Sequence, residues 1–189
     1  MRLSVIVTCT QPWPEVRGCL ERLAPQMRAG EIELIVADGS AGGLDATAAE
    51  HVRWLRSPGR GPHELRLLGW TEARGDVVAI TEDHCDVAPG WCEQVLDAHA
   101  THPDAVAIAG PVTNGAPGRL MDRASFFLVH GRNVPEHAGR PDDWFPPAGS
   151  NVSYKREQMY GVQRPGDLEL VVTPELWAQG LLTFDEKVV

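Results

Sequence analysis

The sequence predicts an α/β fold with a mostly parallel central sheet that is flanked by helices. Short apolar runs rich in β-branched residues alternate with longer stretches in which apolar residues recur every three or four positions. Gly, Pro, Asp and Ser separate many of these stretches, as expected for turns. Such an alternation of strands and helices produces parallel strands joined by right-handed crossovers.

The clearest alternation lies before residue 115. Residues 15–27 carry apolar side chains at helical spacing, whereas 76–81 is a β-branched run typical of a buried strand. We predict strands at residues 3–8, 31–37, 54–56, 76–81 and 105–112, and helices at 15–27, 46–52, 64–74 and 89–100. The last of these helices is expected to hold Pro89 in its first turn.

The sequence after Gly115 is less regular. Gly, Pro, Arg and aromatic residues predict a long loop over residues 132–147. We then expect a strand at 150–154, the start of a helix at 155–160, a helix at 174–179 that ends at Gly180, and a strand at 181–189. No repeat or linker divides the chain, so we expect a single domain spanning residues 1–189.

The overall charge excludes several kinds of partner. The chain has 17 basic and 26 acidic residues and a net charge of −9, which argues against a general nucleic-acid binder or a polybasic membrane anchor. An anionic substrate would therefore need arginines, helix N-termini or a metal ion. Four cysteines without paired spacing, and no apolar run of about 20 residues, predict a cytoplasmic protein without a transmembrane segment. Peripheral contact with a membrane stays open.

Acidic and imidazole side chains follow the predicted strand 76–81 directly. Glu82, Asp83 and His84 come first, and Asp86 lies two residues further on. Ligands of open α/β sheets bind at the carboxyl ends of the strands, where carboxylate and imidazole groups suit a divalent cation. Alternating strand geometry would put Glu82 and His84 on one side as metal ligands and turn Asp83 toward a ribose or sugar. Asp83 beside Glu82 as the ligand pair, and a solvated turn without metal, are the alternatives.

Several ordered segments together resemble the family 2 glycosyltransferases, which have the GT-A fold of the nucleotide-diphospho-sugar transferase superfamily. The segments are Leu-Ser-Val-Ile-Val-Thr at 3–8, Glu-Leu-Ile-Val-Ala-Asp-Gly-Ser at 33–40, the helix at 65–75, and Gly-Ser-Asn-Val-Ser-Tyr-Lys-Arg at 149–156. Ala37 departs from the family's Asp-Asp-Gly-Ser turn, and Glu82-Asp83-His84 replaces its Asp-x-Asp motif. His84-Cys85 is similar to the Asp-x-His-Cys sequence of mucin-type GalNAc transferases. Because imidazole suits transition-series ions, Mn²⁺ is favoured over Mg²⁺ as the cofactor.

The resemblance implies a role for each candidate site residue. It implies metal ligands at Glu82 and His84, and a catalytic base at Glu169 with Asp167 as the second choice. The residues implied to bind the nucleotide-sugar are Thr8, Asp38, Arg66, Asp83, Gly149, Ser150 and Asn151. The alternatives are structural: a turn-forming Asp38, an exposed helix arginine at Arg66, and solvated surface carboxylates at Glu169 and Asp167.

The resemblance also implies a reaction. We expect a metal-dependent, inverting transfer of a sugar from a nucleoside-diphosphate sugar, with a UDP-sugar as the first choice. The acceptor hydroxyl would belong to a carbohydrate, a lipid-linked glycan, a protein or a small molecule. Residues 1–115 would form the nucleotide-sugar-binding half, and residues 116–189 an acceptor-side half that is shorter than usual in the family.

Two other functions compete with this one. A nucleotidyltransferase that makes activated sugars normally has a Gly-rich, basic loop after the first strand, and residues 9–13 are Cys-Thr-Gln-Pro-Trp instead. A non-catalytic or degenerate nucleotide-sugar-binding domain is the alternative that the short second half and Ala37 leave open.

Overall fold

The structure is a computed structural model that describes residues 1–11, 15–28, 30–42, 52–116, 118–137, 146–159, 161–164 and 166–189. Its strands are β1 (Leu3–Cys9), β2 (Ile32–Asp38), β3 (Val52–Arg56), β4 (Val77–Glu82), β5 (Ala107–Ala109), β6 (Val152–Lys155) and β7 (Leu182–Phe184). Its α-helices are α1 (Glu15–Leu23), α2 (Pro62–Glu72), α3 (Trp91–Thr101), α4 (Leu120–His130) and α5 (Thr173–Ala178). A π-helix, Leu168–Val172, leads directly into α5.

One sheet of seven strands runs through the molecule in the order β3-β2-β1-β4-β6-β5-β7. The pairs β1–β2, β1–β4, β2–β3 and β5–β7 are parallel, whereas β6 is antiparallel to both of its neighbours. The prediction of an α/β fold with a mostly parallel sheet is therefore confirmed. The sequence did not reveal that β6 runs in the opposite direction and separates β4 from β5.

Apolar side chains on the two faces of the sheet form two cores. In β1, Val5 and Val7 belong to the core that also holds α1 and α3, whereas Ile6 belongs to the core on the α2 side. This alternation follows from the two-residue period of a strand. Helix α2 lies very close to β1, because a Cβ atom on Gly69 would be only 2.6 Å from Cγ2 of Ile6. A glycine at this position thus sets the distance between α2 and the sheet.

Several predicted boundaries differ from the structure. Helix α1 ends at Leu23 and continues only as a 3₁₀ turn, Ala24–Gln26, which holds Pro25. The prediction that Pro89 lies in the first turn of a helix is wrong: α3 begins at Trp91 and is preceded by Gly90 with φ of 83°. Only a 3₁₀ turn, Arg156–Gln158, follows β6. Most of the helix predicted at 46–52 lies outside the described residues.

Helix α4 and the π-helix were not predicted. Helix α4 occupies the region that the sequence marked only as irregular, and all of its residues are exposed or half-buried. No residue of α4 belongs to either of the two cores. No helix among the described residues is long and apolar enough to span a membrane.

The imidazole of His99 in α3 is buried and hydrogen-bonded to Ser153. Its Nε2 lies 3.0 Å from the hydroxyl oxygen of Ser153, and that hydroxyl donates to the carbonyl of Ile108. Nε2 of His99 therefore donates to Ser153. Burial, with the nearby charge of Lys155, lowers the pKa of His99 to about 4.

We expect acid to remove stability that the neutral His99 provides. The unfolded chain binds a proton at this position below a pH of about 6.5, whereas the folded chain does so only near pH 4. The free energy of unfolding should thus fall by on the order of 3 kcal/mol between these values. Urea denaturation of wild type and His99→Gln tests this, since glutamine keeps a donor but does not titrate. Parallel pH profiles for the two proteins would contradict the assignment.

Candidate active site

The carboxyl ends of β1, β2 and β4 bring three predicted site residues to one edge of the sheet. Thr8 pairs in register with Glu82, and its neighbour Cys9 pairs with Asp38. Thr8 and Asp38 are buried there, and Glu82 is half-buried. Residues predicted separately at the ends of three strands therefore share one edge, as expected for a parallel sheet.

A buried arginine joins two carboxylates at this edge. Arg66 of α2 forms one ion pair with Glu82 at the end of β4 and a second with Glu169 of the π-helix. Its side chain is 7% exposed, so the alternative of an exposed helix arginine is wrong. Gly149 lies against this arrangement, because a Cβ atom there would be 2.9 Å from Oε1 of Glu169 and 3.0 Å from Nη2 of Arg66. The small residue leaves room for the ion pairs to form.

Glu169 has a second partner, His63, which the sequence did not indicate. Nδ1 of His63 lies 3.1 Å from Oε2 of Glu169, while Oε1 faces Arg66. His63 and Arg66 are three residues apart on α2, so they point from the same side of the helix. That spacing was visible in the sequence, but nothing there indicated that Glu169 would face it. Both oxygens of Glu169 therefore contact cationic or proton-donating groups.

Glu82, the last residue of β4, and the two residues after it have side chains that lie close together. Nε2 of His84 lies 3.6 Å from Oε2 of Glu82, and Nδ1 of His84 lies 3.3 Å from Oδ1 of Asp83. Oδ2 of Asp83 accepts hydrogen bonds from the backbone N–H groups of Thr10 (2.7 Å) and Gln11 (2.9 Å). The carboxylate of Asp83 thus holds both the imidazole of His84 and the backbone that follows β1. Asp83 and His84 lie in a turn, so strand alternation does not set the directions of their side chains.

These contacts change two pKa values. Burial disfavours the Asp83 carboxylate, but the hydrogen bonds from His84, Gln11 and Thr10 outweigh it and lower its pKa. The hydrogen bond to Asp83, aided by one to Cys85, raises the pKa of His84 to about 10 despite partial burial. With Nδ1 held by Asp83, Nε2 is the nitrogen of His84 that faces Glu82.

His130 of α4 is a further imidazole near this group. Burial lowers its pKa, and the charges of Glu82 and His84 are near enough to act on it in opposite directions. Nevertheless, within the described ranges no three His, Cys, Asp or Glu side chains form an arrangement that could hold a metal ion by themselves. A bound ion would have to take further ligands from a substrate or from water.

Asp38 has the local contacts of a turn residue. Its Oδ1 accepts a hydrogen bond of 2.8 Å from the backbone N–H of Ser40, and its Oδ2 lies 3.1 Å from Nη1 of Arg56. The carboxylate is buried, but Arg56 is half exposed at 47%. Asp38 therefore stabilises its own turn and holds the guanidinium of Arg56 near the carboxyl edge of the sheet.

Two other predicted site residues have structural contacts. The Asn151 amide accepts from Nε1 of Trp91 (3.0 Å) and donates to the carbonyls of Pro111 (2.9 Å) and Val188 (2.7 Å). Asp167 accepts backbone hydrogen bonds from Gln163 and Arg164, which lower its pKa. Both side chains are buried, so their contacts hold the fold together. Ser150, between Gly149 and Asn151, is half-buried.

Carboxylate, imidazole and guanidinium groups meet at the carboxyl edge of a mostly parallel sheet, which is the edge where open α/β sheets bind ligands. The sequence matches the model of the family described as glycosyl transferase family 2 over residues 4–159. The chain belongs to that family, and the resemblance seen in the sequence motifs is confirmed.

Known proteins from different organisms are similar in sequence to parts of this chain. Glucosyl-dolichyl phosphate glucuronosyltransferase of Haloferax volcanii is 28% identical over 171 residues, covering 83% of this chain and 53% of that protein. Polypeptide N-acetylgalactosaminyltransferase 15 of Mus musculus is 34% identical over 83 residues, covering 43% of this chain and 13% of that protein. The chain thus spans about half the length of the archaeal relative and a small part of the mouse protein.

Solved structures share the fold over nearly the whole chain. Residues 1–349 of TarS from S. aureus superpose with a TM-score of 0.60 at 13% identity, covering 98% of this chain and 58% of that one. Glucosyl-3-phosphoglycerate synthase from Mycobacterium tuberculosis, solved with Mn²⁺, UDP-glucose and phosphoglyceric acid, superposes with a TM-score of 0.64 at 17% identity. That match covers 98% of this chain and 69% of the synthase. These likenesses confirm the fold class.

Replacing Arg66 tests whether the two carboxylates depend on it. In Arg66→Met, Glu82 and Glu169 lose their shared cation inside a poorly solvated crevice, so we expect the free energy of unfolding to fall by about 3 kcal/mol. Arg60→Met is the matched control, because Arg60 pairs with Glu64 at an exposed site and should cost less than about 1 kcal/mol. Urea denaturation measures both variants. A loss for Arg66→Met no larger than for Arg60→Met would contradict the structural role.

Proposed function

We propose that this chain transfers a sugar from a nucleoside-diphosphate sugar to an acceptor hydroxyl with inversion at the anomeric carbon. The observation that carries the proposal is the buried Arg66, which joins Glu82 on the metal side of the crevice to Glu169 on the side of the base. The proposal is supported by membership of glycosyl transferase family 2. Glu82 is proposed to bind the metal ion, and Glu169 to take the proton of the acceptor hydroxyl, in a single displacement step.

Glu82 and His84 fit a divalent cation. Their facing atoms are 3.6 Å apart, which lets both contact one ion once that ion has displaced the proton from Nε2 of His84. Asp83 holds Nδ1 of His84, and a carboxylate partner on the other ring nitrogen is the usual arrangement for a ligating histidine. A divalent ion bound here would neutralise the charge that develops on the departing diphosphate. The mixed carboxylate and imidazole pair favours Mn²⁺ over Mg²⁺.

Arg66 supplies fixed positive charge next to that position. A guanidinium donates several hydrogen bonds in a planar fork and is well suited to phosphate oxygens. Because Arg66 is buried and held by two carboxylates, it is already oriented before a substrate binds. Such preorganised charge stabilises developing negative charge without reorganisation during the reaction.

Glu169 is the proposed general base. Oε2 of Glu169 contacts His63 rather than Arg66, so this oxygen is the one that an acceptor hydroxyl would approach. Asp167 is a poorer candidate, because its buried carboxylate accepts two backbone hydrogen bonds at Oδ2 and holds the chain before the π-helix. Attack by the activated hydroxyl opposite the leaving diphosphate inverts the anomeric configuration in one step.

The nucleoside is proposed to bind near Thr8 and Asp38, with Gly149 and Ser150 beside the sugar. UDP is the first choice of nucleotide, since the synthase structure that shares this fold contains UDP-glucose. The acceptor differs between the similar proteins. The archaeal relative is named for a glucosyl-dolichyl phosphate, and the synthase was solved with phosphoglyceric acid.

Glu169→Gln separates catalysis from binding. Glutamine keeps the shape but cannot take the proton, so we expect hydrolysis or transfer of UDP-sugar to fall by at least about a hundredfold. UDP affinity should change by less than about threefold, because the amide oxygen of glutamine can still accept a hydrogen bond from Arg66 beside the diphosphate. The exposed Glu175, six residues further along, provides the control Glu175→Gln, which should behave as wild type. Tight UDP binding without turnover by wild type would support the non-catalytic binding domain instead.

His84→Ala tests the metal site by calorimetry. We expect UDP affinity in Mn²⁺ to fall by about tenfold or more, since one of two protein ligands is lost. In EDTA the same substitution should change UDP affinity little. His137→Ala removes an exposed imidazole elsewhere and serves as the control. Equal losses of affinity in Mn²⁺ and in EDTA would exclude His84 as a ligand.

A further inference from the structure

Helix α4 presents a continuous apolar stripe to solvent. Leu120, Met121, Phe127 and Leu128 are 79%, 72%, 56% and 87% exposed. Together with the exposed Ala124, their spacing of one, three and four residues places them within about a third of the helix circumference. Large exposed apolar patches are unusual on soluble proteins and mark surfaces that contact a partner or a membrane.

The other side of α4 faces the candidate active site. Phe126 and His130 are its half-buried residues, and their rings lie 5.5 Å apart. His130 is near enough to Glu82 and His84 to be affected by their charges. The segment after the helix is fixed to the end of β5, because the N–H of Val112 donates to the carbonyl of Asn133 over 2.8 Å. The stripe therefore lies beside the crevice and points away from the protein.

The charge around the stripe is opposite to that of the rest of the chain. Arg119 and Arg123 are exposed and lie four residues apart, between the stripe and the side of α4 that carries Phe126 and His130, while Asp122 lies on the side opposite the stripe. Residues 118–130 hold two arginines and one aspartate, a net charge of +1, whereas the other residues together carry a net charge of −10. This local basic charge would attract an anionic surface that the rest of the chain repels.

We propose that α4 docks onto the surface of an anionic lipid bilayer. The apolar stripe enters the boundary between headgroups and acyl chains, and the two arginines reach the lipid phosphates. Exposed apolar side chains flanked by arginines on one short helix are the features of an interfacial helix. The docked helix holds the crevice next to the bilayer. If the proposed transferase function is correct, the acceptor is a lipid-anchored one.

Vesicle flotation tests the docking independently of any enzymatic activity. Wild type is mixed with vesicles of phosphatidylcholine alone or with about 30% phosphatidylglycerol, at low and high salt. We expect binding to the anionic vesicles that weakens with salt, and about tenfold or more weaker partitioning for the double variant Leu120→Ser with Leu128→Ser. Val129→Ser is the matched control, since Val129 is 63% exposed on the same helix but lies outside the stripe.

Folding and self-association are measured on the same variants. All substituted side chains are exposed, so melting curves of the variants should match wild type, and Arg119→Ala with Arg123→Ala should reduce the salt dependence of binding. Failure of wild type to float with anionic vesicles, or equal flotation of the double variant and wild type, would overturn the proposal. A dimer in sedimentation velocity that the double variant abolishes would also overturn it, in favour of pairing between two copies. If wild type floats with anionic vesicles but does not turn over a UDP-sugar, the result would count against the transferase function alone.

Discussion

The site depends on one buried cation placed between two carboxylates. Arg66 is presented by α2, Glu82 by the end of β4, and Glu169 by the π-helix near the end of the chain. An unpaired charge at this depth would be costly, so each of the three groups makes the burial of the others tolerable. Gly69, which lets α2 approach β1, and Gly149, which leaves space for the ion pairs, support the same arrangement. Elements far apart in sequence are thus held together at this edge of the sheet.

The motif after β4 combines structural and chemical tasks in adjacent residues. Asp83 fixes the backbone after β1 and holds one nitrogen of His84, which leaves the other nitrogen facing Glu82. The substitution of histidine for a second aspartate therefore brings its own orienting partner. The proposed metal site needs this orientation, since a freely rotating imidazole would lose part of its affinity in becoming fixed.

The sequence predicted the sheet well, because strand periodicity depends on local pattern. The carboxyl-end rule predicted the sheet edge at which the proposed site residues Thr8, Asp38 and Glu82 lie together. It predicted Glu82, Asp83 and His84 as a group for the same reason. It did not predict the His63–Glu169 contact or the inward role of Asn151, since both join segments more than 35 residues apart. Helix α4 was not predicted, because Gly and Pro residues precede it and Gly, Pro, Arg and aromatic residues follow it, and the whole region was interpreted as irregular.

A crystal structure with Mn²⁺ and UDP, using the anomalous signal of manganese, tests whether Glu82 and His84 bind the metal ion beside Arg66. We expect one anomalous peak in contact with Glu82 and His84, with the diphosphate between that peak and Arg66. An anomalous peak elsewhere on the protein, or a nucleotide bound away from the carboxyl ends of β1, β2 and β4, would contradict it.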